Sequence, residues 1–378
     1  MKIGILTFHR VINDGSTLQT YCLWSLLKKR YPNAKVEIID YMPYHLAKNN
    51  LKTKINRRFF RVLLQQREQI KFLKDNCTFT KHRSVTDNLS KGFSFIKEQN
   101  YDCIFVGSDT VWDLRSNGWG APKPPNLYFL SGISSLKKIA FAASMDKGYP
   151  SMVKDKDMKK IISAIDRFDF ISVRDLSTKN KLIQNGLKKE ICFMPDPTLL
   201  WDIKKTARNP SGYIPFDKNI AGISVTDSRL SKILNKQLID LGYEVINLLG
   251  NPIEGQLVPL SKWTFSERLG LYKHLSILIT DRYHGSIFAM VIGKAPVLMV
   301  EPDYYYKEHD SKGRDLFERL DLTHCVWRYN SKENISNSLI SEFLDNYKES
   351  HVDIKYKIQC LFDDSENHFK KIDLILSN

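Results

Sequence analysis

The chain has 378 residues, more than the roughly 250 to 300 at which a single hydrophobic core stops growing, so two domains are expected. A hydrophobic fraction of 42% and a charged fraction of 26% exclude a disordered or fibrous chain. The formal charge of +15 points to anionic partners (phosphates, nucleic acid or anionic lipid) without choosing among them.

The opening MKIGILTFHR reaches His9 and Arg10 too soon to form the apolar region of a removable secretory signal. Short β-rich apolar runs then alternate with amphipathic stretches of helical length, the pattern of parallel α/β sheets. Strands are predicted at Lys2 to Phe8, Val36 to Asp40, Asp102 to Val106, Lys138 to Ala142, Phe170 to Val173 and Ile191 to Phe193. A turn-rich linker, Lys204 to Lys218, carries Pro210, Gly212 and Pro215. A second series follows at Ile220 to Val225, Tyr243 to Leu248, Ser276 to Thr280 and Ala295 to Val300, and the tail from Ser336 to Leu376 reads as surface helix. This gives an α/β fold with a Rossmann-like domain over residues 1–203, a second over 219–335, and a helical tail over 336–378 that packs across their junction. Ligands of doubly wound sheets bind at the carboxyl ends of the strands, so a cleft between the two halves is the expected site.

No window reaches the roughly 18 uninterrupted apolar residues of a spanning helix; the best, Ile287 to Val300, is broken by Lys294 and Pro296. Cys22, Cys77, Cys103, Cys192, Cys325 and Cys360 lie scattered, with no zinc or disulfide spacing, so reduced thiols in the cytoplasm are expected. The stretch Lys48 to Asp75 holds nine basic residues against Glu68 and Asp75, with Ile55, Phe59, Val62, Leu63, Ile70 and Leu73 on one helical face. Such a helix suits either core packing or an anionic surface at the inner face of the membrane. Glu301, Asp303 and His309 have no defensible ligand spacing, so no metal is expected.

Four segments carry candidate chemistry. After the first strand, Asn13-Asp14-Gly15-Ser16-Thr17 opens a helix and serves equally as an ordinary cap or as a seat for an anion or acceptor. Gly107-Ser108-Asp109-Thr110-Val111-Trp112 ends a strand, where Asp109 suits a base or hydroxyl acceptor and helix capping is the alternative. Ser172-Val173-Arg174-Asp175 places an arginine at another strand end, either an anion clamp or a surface arrangement at a helix start. In Thr280-Asp281-Arg282-Tyr283-His284-Gly285-Ser286 an arginine, a histidine and a helix start converge, which suits anion binding with proton transfer.

In this order, the segments resemble the polysaccharide pyruvyl transferase family of exopolysaccharide, capsule and cell-wall polymer biosynthesis, over about residues 3 to 300. The stretch from Thr280 to Ser286 is similar to its S/D-R-F/L-H-G/x motif, residues 107–112 to G-S-D-x-V-W, residues 171–175 to I-S-V-R-D/E and Asp196-Pro197-Thr198 to D-P-T. Two segments depart: Asn13 to Gln19 stands where many relatives read N-Y-G-A-x-L-Q, and Ala143-Ser144-Met145-Asp146 replaces a glycine-bearing turn. The resemblance implies a fold similar to two-domain GT-B glycosyltransferases, and transfer of pyruvate from phosphoenolpyruvate as a ketal onto two hydroxyls of a sugar, polysaccharide or lipid-linked precursor. It implies no cofactor. On it, Arg174, Arg282, Tyr283, Gly285 and Ser286 would bind the donor. Asn13, Asp14, Gly15, Ser108 and Asp109 would bind the acceptor, with His284 as acid and Asp109 as a candidate base. A GT-B glycosyltransferase using a nucleotide sugar and a non-enzymatic binder of anionic polymers are the competing readings, although no recognised nucleic-acid module is present.

Overall fold

Two sheets, both parallel, organise the chain. The computed structural model describes residues 1–52, 58–115, 122–145, 150–212, 218–249, 263–303, 311–350 and 352–377, with backbone only at 49–52 and 58–62. Asp146 and His309 lie outside the described residues. The strands are β1 Lys2–Leu6, β2 Lys35–Ile38, β3 Tyr41–Met42, β4 Ser84–Val85, β5 Cys103–Asp109, β6 Lys137–Ala143, β7 Phe170–Val173, β8 Cys192–Phe193, β9 Ile220–Ser224, β10 Glu244–Asn247, β11 Leu275–Thr280, β12 Val297–Pro302 and β13 Val326–Tyr329.

One compact unit comprises Met1–Trp201 with Leu361–Asn378, the other Asp202–Cys360. The first is built on a six-stranded sheet in the order β2-β1-β5-β6-β7-β8. Its strands are buried on both faces: Ile3, Ile5, Phe105, Ile139 and Phe141 pack in one cluster, Leu6, Ile104, Val106 and Ala140 in another. That is why they read as continuous apolar runs rather than alternating ones. The last helix, Ile354–Ser377, gives this unit Phe369 and Ile372 as core residues. Asp373 of the same helix accepts hydrogen bonds from Arg30 at 2.6 Å and Tyr31 at 2.7 Å. Burial with the Asp373 hydrogen bond and charge pushes the Tyr31 hydroxyl well above its ordinary value.

The second unit carries the order β10-β9-β11-β12-β13. In both sheets the chain order reverses beside the first strand, between β1 and β5 and between β9 and β11. This is the topological switch point at which loops splay apart and ligands of open α/β sheets bind.

All ten predicted strands are present, Phe170–Val173 with the predicted ends and the other nine with shifted ones, and the described tail is helical over Leu339–Glu349 and Ile354–Ser377. The six cysteines are unpaired. No helix among the described residues is long and apolar enough to cross a membrane. In the basic stretch, Ile55 lies outside the described residues, as do the side chains of Phe59 and Val62. Of its described apolar side chains, Leu73 is buried, Leu63 and Ile70 are half-buried, and Phe72 packs edge-on against Tyr21 at 5.2 Å.

Candidate functional site

In the first unit, the switch point is held by a buried polar network. Helix Asp14–Arg30 starts at Asn13, whose side chain accepts from the Gly15 backbone N–H at 2.8 Å. Asn13 is thus a helix cap, the plainer of its two readings. Asp14 accepts from Gln69 Nε2 at 2.6 Å, while Ser16 turns inward and donates to Asp109 Oδ2 at 2.5 Å. Gly107, at the end of β5, has φ +115, and a Cβ there would lie 2.2 Å from the carbonyl oxygen of Phe141. Only glycine lets β5 and β6 approach this closely. Asp109 follows with φ +82, a region that non-glycine residues seldom occupy and that marks a position held by its surroundings.

Those surroundings are specific. Asp109 Oδ1 accepts from its neighbour Thr110 N at 2.8 Å and faces Arg174 Nη2 at 3.3 Å. Arg174 Nη1 donates to Asp196 Oδ2 at 2.7 Å, with both side chains 0% exposed. Asp196 also receives the Ser108 hydroxyl at 3.2 Å and the Thr198 N–H and hydroxyl at 3.1 and 2.7 Å. Arg174 is therefore a buried bridge between two carboxylates, not an open clamp on an incoming anion. Ser108 is likewise fully buried, its hydroxyl committed to Asp196 and to Ala142 O. Asp109 keeps a side-chain exposure of 10% and is the member of this group nearest to solvent.

A second cluster sits at the ends of β1 and β2. Arg10 donates bidentately to Asp40 through Nε and Nη2, each at 2.6 Å, and His9 Nε2 meets the same carboxylate at 3.1 Å. Burial alone would raise Asp40, but the hydrogen bonds and charges of His9 and Arg10 prevail and hold it well below the usual carboxylate range. Burial lowers His9 below the ordinary histidine value, Arg10 adding to the effect and Asp40 opposing it. Thr7 Oγ1 donates to Ser108 O at 3.0 Å and accepts from Gln19 Nε2 at 2.9 Å, tying the end of β1 to that of β5.

In the second unit the same logic recurs across β9 and β11. Thr280 Oγ1 donates to Ser224 O at 3.2 Å and accepts from Arg282 N at 2.9 Å. Asp281 Oδ2 accepts from Thr226 N at 2.7 Å, and its Oδ1 lies 3.2 Å from Arg282 Nε. Asp281 thus steadies Arg282, whose side chain is 50% exposed. Helix Tyr283–Phe288 begins directly after it. His284 is half-buried, with the Tyr283 ring edge-on at 5.3 Å and the Phe288 ring tilted at 6.3 Å. Tyr283 and Ser286 are buried; Lys312 lies over the Tyr283 ring at 5.8 Å and the Ser286 hydroxyl donates to Tyr283 O at 2.7 Å. Both side chains brace the turn from inside. Gly285 is also buried, and a Cβ there would meet its nearest neighbours, Arg282 Cβ and Thr280 Oγ1, at an ordinary 3.4 Å.

The sequence alone assigns no site role to Asp40, Asp196 or Asp281, and offers Ser16 only as part of a helix entrance. Asp40 pairs with Arg10, Asp196 with Arg174 and Ser16 with Asp109, partners distant in sequence that leave no local signal, whereas Asp281 pairs with the adjacent Arg282. Among the described residues no group of three or more His, Cys, Asp or Glu is placed to hold a metal ion.

The family model for polysaccharide pyruvyl transferases matches residues 13–304, a span that contains Asp109, Arg174, Asp196, Arg282 and His284. No curated protein matches the sequence. Among solved structures, the UDP-GlcNAc 2-epimerase from Methanocaldococcus jannaschii is similar, with 12% identity and a TM-score of 0.53 over 91% of this chain and 92% of that one. S. aureus MnaA, in a co-structure with UDP, has 10% identity and a TM-score of 0.50 over 93% of this chain and 89% of that one. At such identities the likeness is one of fold.

Proposed function

Because the chain belongs to the polysaccharide pyruvyl transferase family, we propose that it moves pyruvate from phosphoenolpyruvate onto two hydroxyls of a sugar. The acceptor is a polysaccharide or its lipid-linked precursor, and the products are a cyclic ketal and phosphate. The observation that carries this reading is the half-exposed Arg282, steadied by Asp281, two residues before a half-buried His284 at the carboxyl end of the central strand β11. A guanidinium binds the carboxylate or phosphate of phosphoenolpyruvate bidentately. A histidine beside it is the side chain suited to deliver a proton near neutral pH.

In this scheme His284 protonates the methylene carbon and the adjoining carbon becomes cationic. One sugar hydroxyl adds its oxygen to that carbon, the bond from carbon to the phosphate oxygen breaks, and the second hydroxyl closes the ketal. Of the two hydroxyl protons, one ends on the new methyl group and the other on the departing phosphate. In the first unit, Asp109 is assigned as the acceptor of a sugar hydroxyl proton, with Ser16, Arg174 and Asp196 as positioning residues that hold its carboxylate. The test separates binding from chemistry. Arg282→Lys should lose donor binding, whereas His284→Gln should bind donor and fail to turn it over. A His284→Gln enzyme with wild-type turnover removes His284 from the reaction.

A further inference from the structure

Helix Ser228–Asp240 of the second unit buries Leu230, Leu234 and Leu238 and turns a cationic side outward. Arg229, Lys232 and Lys236 are exposed on it, spaced so that they line one face. Segment 334–337 runs alongside, pinned where Gln237 Nε2 donates to Ser336 O at 2.8 Å. Between helix and segment lies a groove of about 750 Å³, lined by the three cations and the single carboxylate of Asp240. No ion pair among the described residues engages Lys232 or Lys236.

The groove's remaining chemistry narrows the ligand. Gln237, Asn334 and Asn337 supply side-chain amides, and Ile233 and Leu241 a small apolar surface. Gln237 is 7% exposed, and its Oε1 lies buried without a hydrogen-bond partner, an unmet acceptor beside the groove. Amides and hydroxyl acceptors suit sugars, and clustered cations suit carboxylates. The described lining holds no aromatic ring of the kind on which nucleic-acid bases stack, and a concave groove does not match a flat bilayer surface.

We propose that this groove binds an anionic oligosaccharide bearing carboxylates. The choice of glycan over other polyanions rests on the proposed pyruvyl transfer. A pyruvate ketal leaves a carboxylate on each modified sugar, so the groove holds a chain that already carries the modification.

The test uses the full-length protein, a hexamer of galacturonate as probe and maltohexaose as the uncharged control, with binding followed by calorimetry. The wild type should bind the galacturonate hexamer and not maltohexaose. Lys232→Glu/Lys236→Glu should weaken binding by about tenfold or more at low salt, and Lys232→Gln/Lys236→Gln by less. Absence of binding by the wild type, or binding that neither variant changes, overturns the proposal. Equal or tighter binding of single-stranded DNA or phosphatidylglycerol vesicles at the same residues overturns the glycan assignment. Protection by phosphoenolpyruvate, measured on the same proteins, reports separately on pyruvyl transfer: its loss with galacturonate binding intact refutes the transfer and leaves the groove standing.

Discussion

Replacing Arg174 with methionine tests whether the first unit's polar network is built around a buried cation. Arg174 and Asp196 are both 0% exposed and 2.7 Å apart, and Asp109 lies 3.3 Å from the same guanidinium. Arg174→Met leaves two buried carboxylates without their shared cation, a change that costs about 3–5 kcal/mol. For a unit of this size each kcal/mol moves the midpoint by about 2–4 °C, so scanning calorimetry should show the first unit melting roughly 6–20 °C lower. Asp196→Asn should be similarly damaging, because its amide then points a donor at Arg174. In the double variant the clash and one of the orphaned charges are gone. The two losses should therefore fall short of additivity by about 1.5 kcal/mol or more. An Arg174→Met protein within about 1 kcal/mol of wild type, or losses that add to within about 0.5 kcal/mol, refutes the reasoning. Arg282→Met is the contrast: with the side chain 50% exposed, its ion pair is worth about 1 kcal/mol or less.

Gly107→Ala places a Cβ 2.2 Å from a backbone oxygen at φ +115; the backbone strain alone is about 1–3 kcal/mol, and a wild-type melting point would contradict the close β5 to β6 approach. Ser16→Ala removes a 2.5 Å hydrogen bond to a carboxylate and should destabilise by about 1.5–3 kcal/mol in urea titrations. The Asp40 cluster predicts a pH dependence. Its folded value is held low, so its stabilisation is fully present above the ordinary carboxylate value of about 3.9 and is lost as pH falls below it. Below about pH 4, where Asp40 itself titrates, the stability gap between wild type and Asp40→Asn should shrink; a gap that keeps widening as pH falls from about 4 towards about 2 contradicts the assigned sign.

The sheets were legible because their strands are buried on both faces and spell continuous apolar runs, as Cys103 to Val106 and Ile277 to Ile279 do. β13 was not: Val326 and Trp327 are half-buried and Arg328 exposed, the profile of an edge strand with too little apolar signal to stand out. β3 and β4, at two residues each, pair across more than forty positions and leave no periodicity. In the site, Asp109, Arg282 and His284 could be picked out as polar side chains at strand ends. The assignment of Arg174 as an open clamp failed to anticipate Asp196, because sequence spacing gives no measure of burial. A guanidinium meeting solvent and one enclosed by two carboxylates have the same local signature. Ser108 and Ser286 illustrate the same limit, since each points its hydroxyl back into the fold.

The central claim is the donor, and a thermal-shift titration of the wild type with phosphoenolpyruvate tests it most directly, with phosphate, pyruvate and UDP sugars as comparison ligands. At a hundredfold excess over the dissociation constant, a specific ligand stabilises by about 2.7 kcal/mol, or roughly 5–10 °C for a unit of this size. The account predicts a saturable rise of that order with phosphoenolpyruvate, well beyond the one given by phosphate, and its loss in Arg282→Lys. A rise with a UDP sugar and none with phosphoenolpyruvate contradicts it and identifies a nucleotide-sugar enzyme instead.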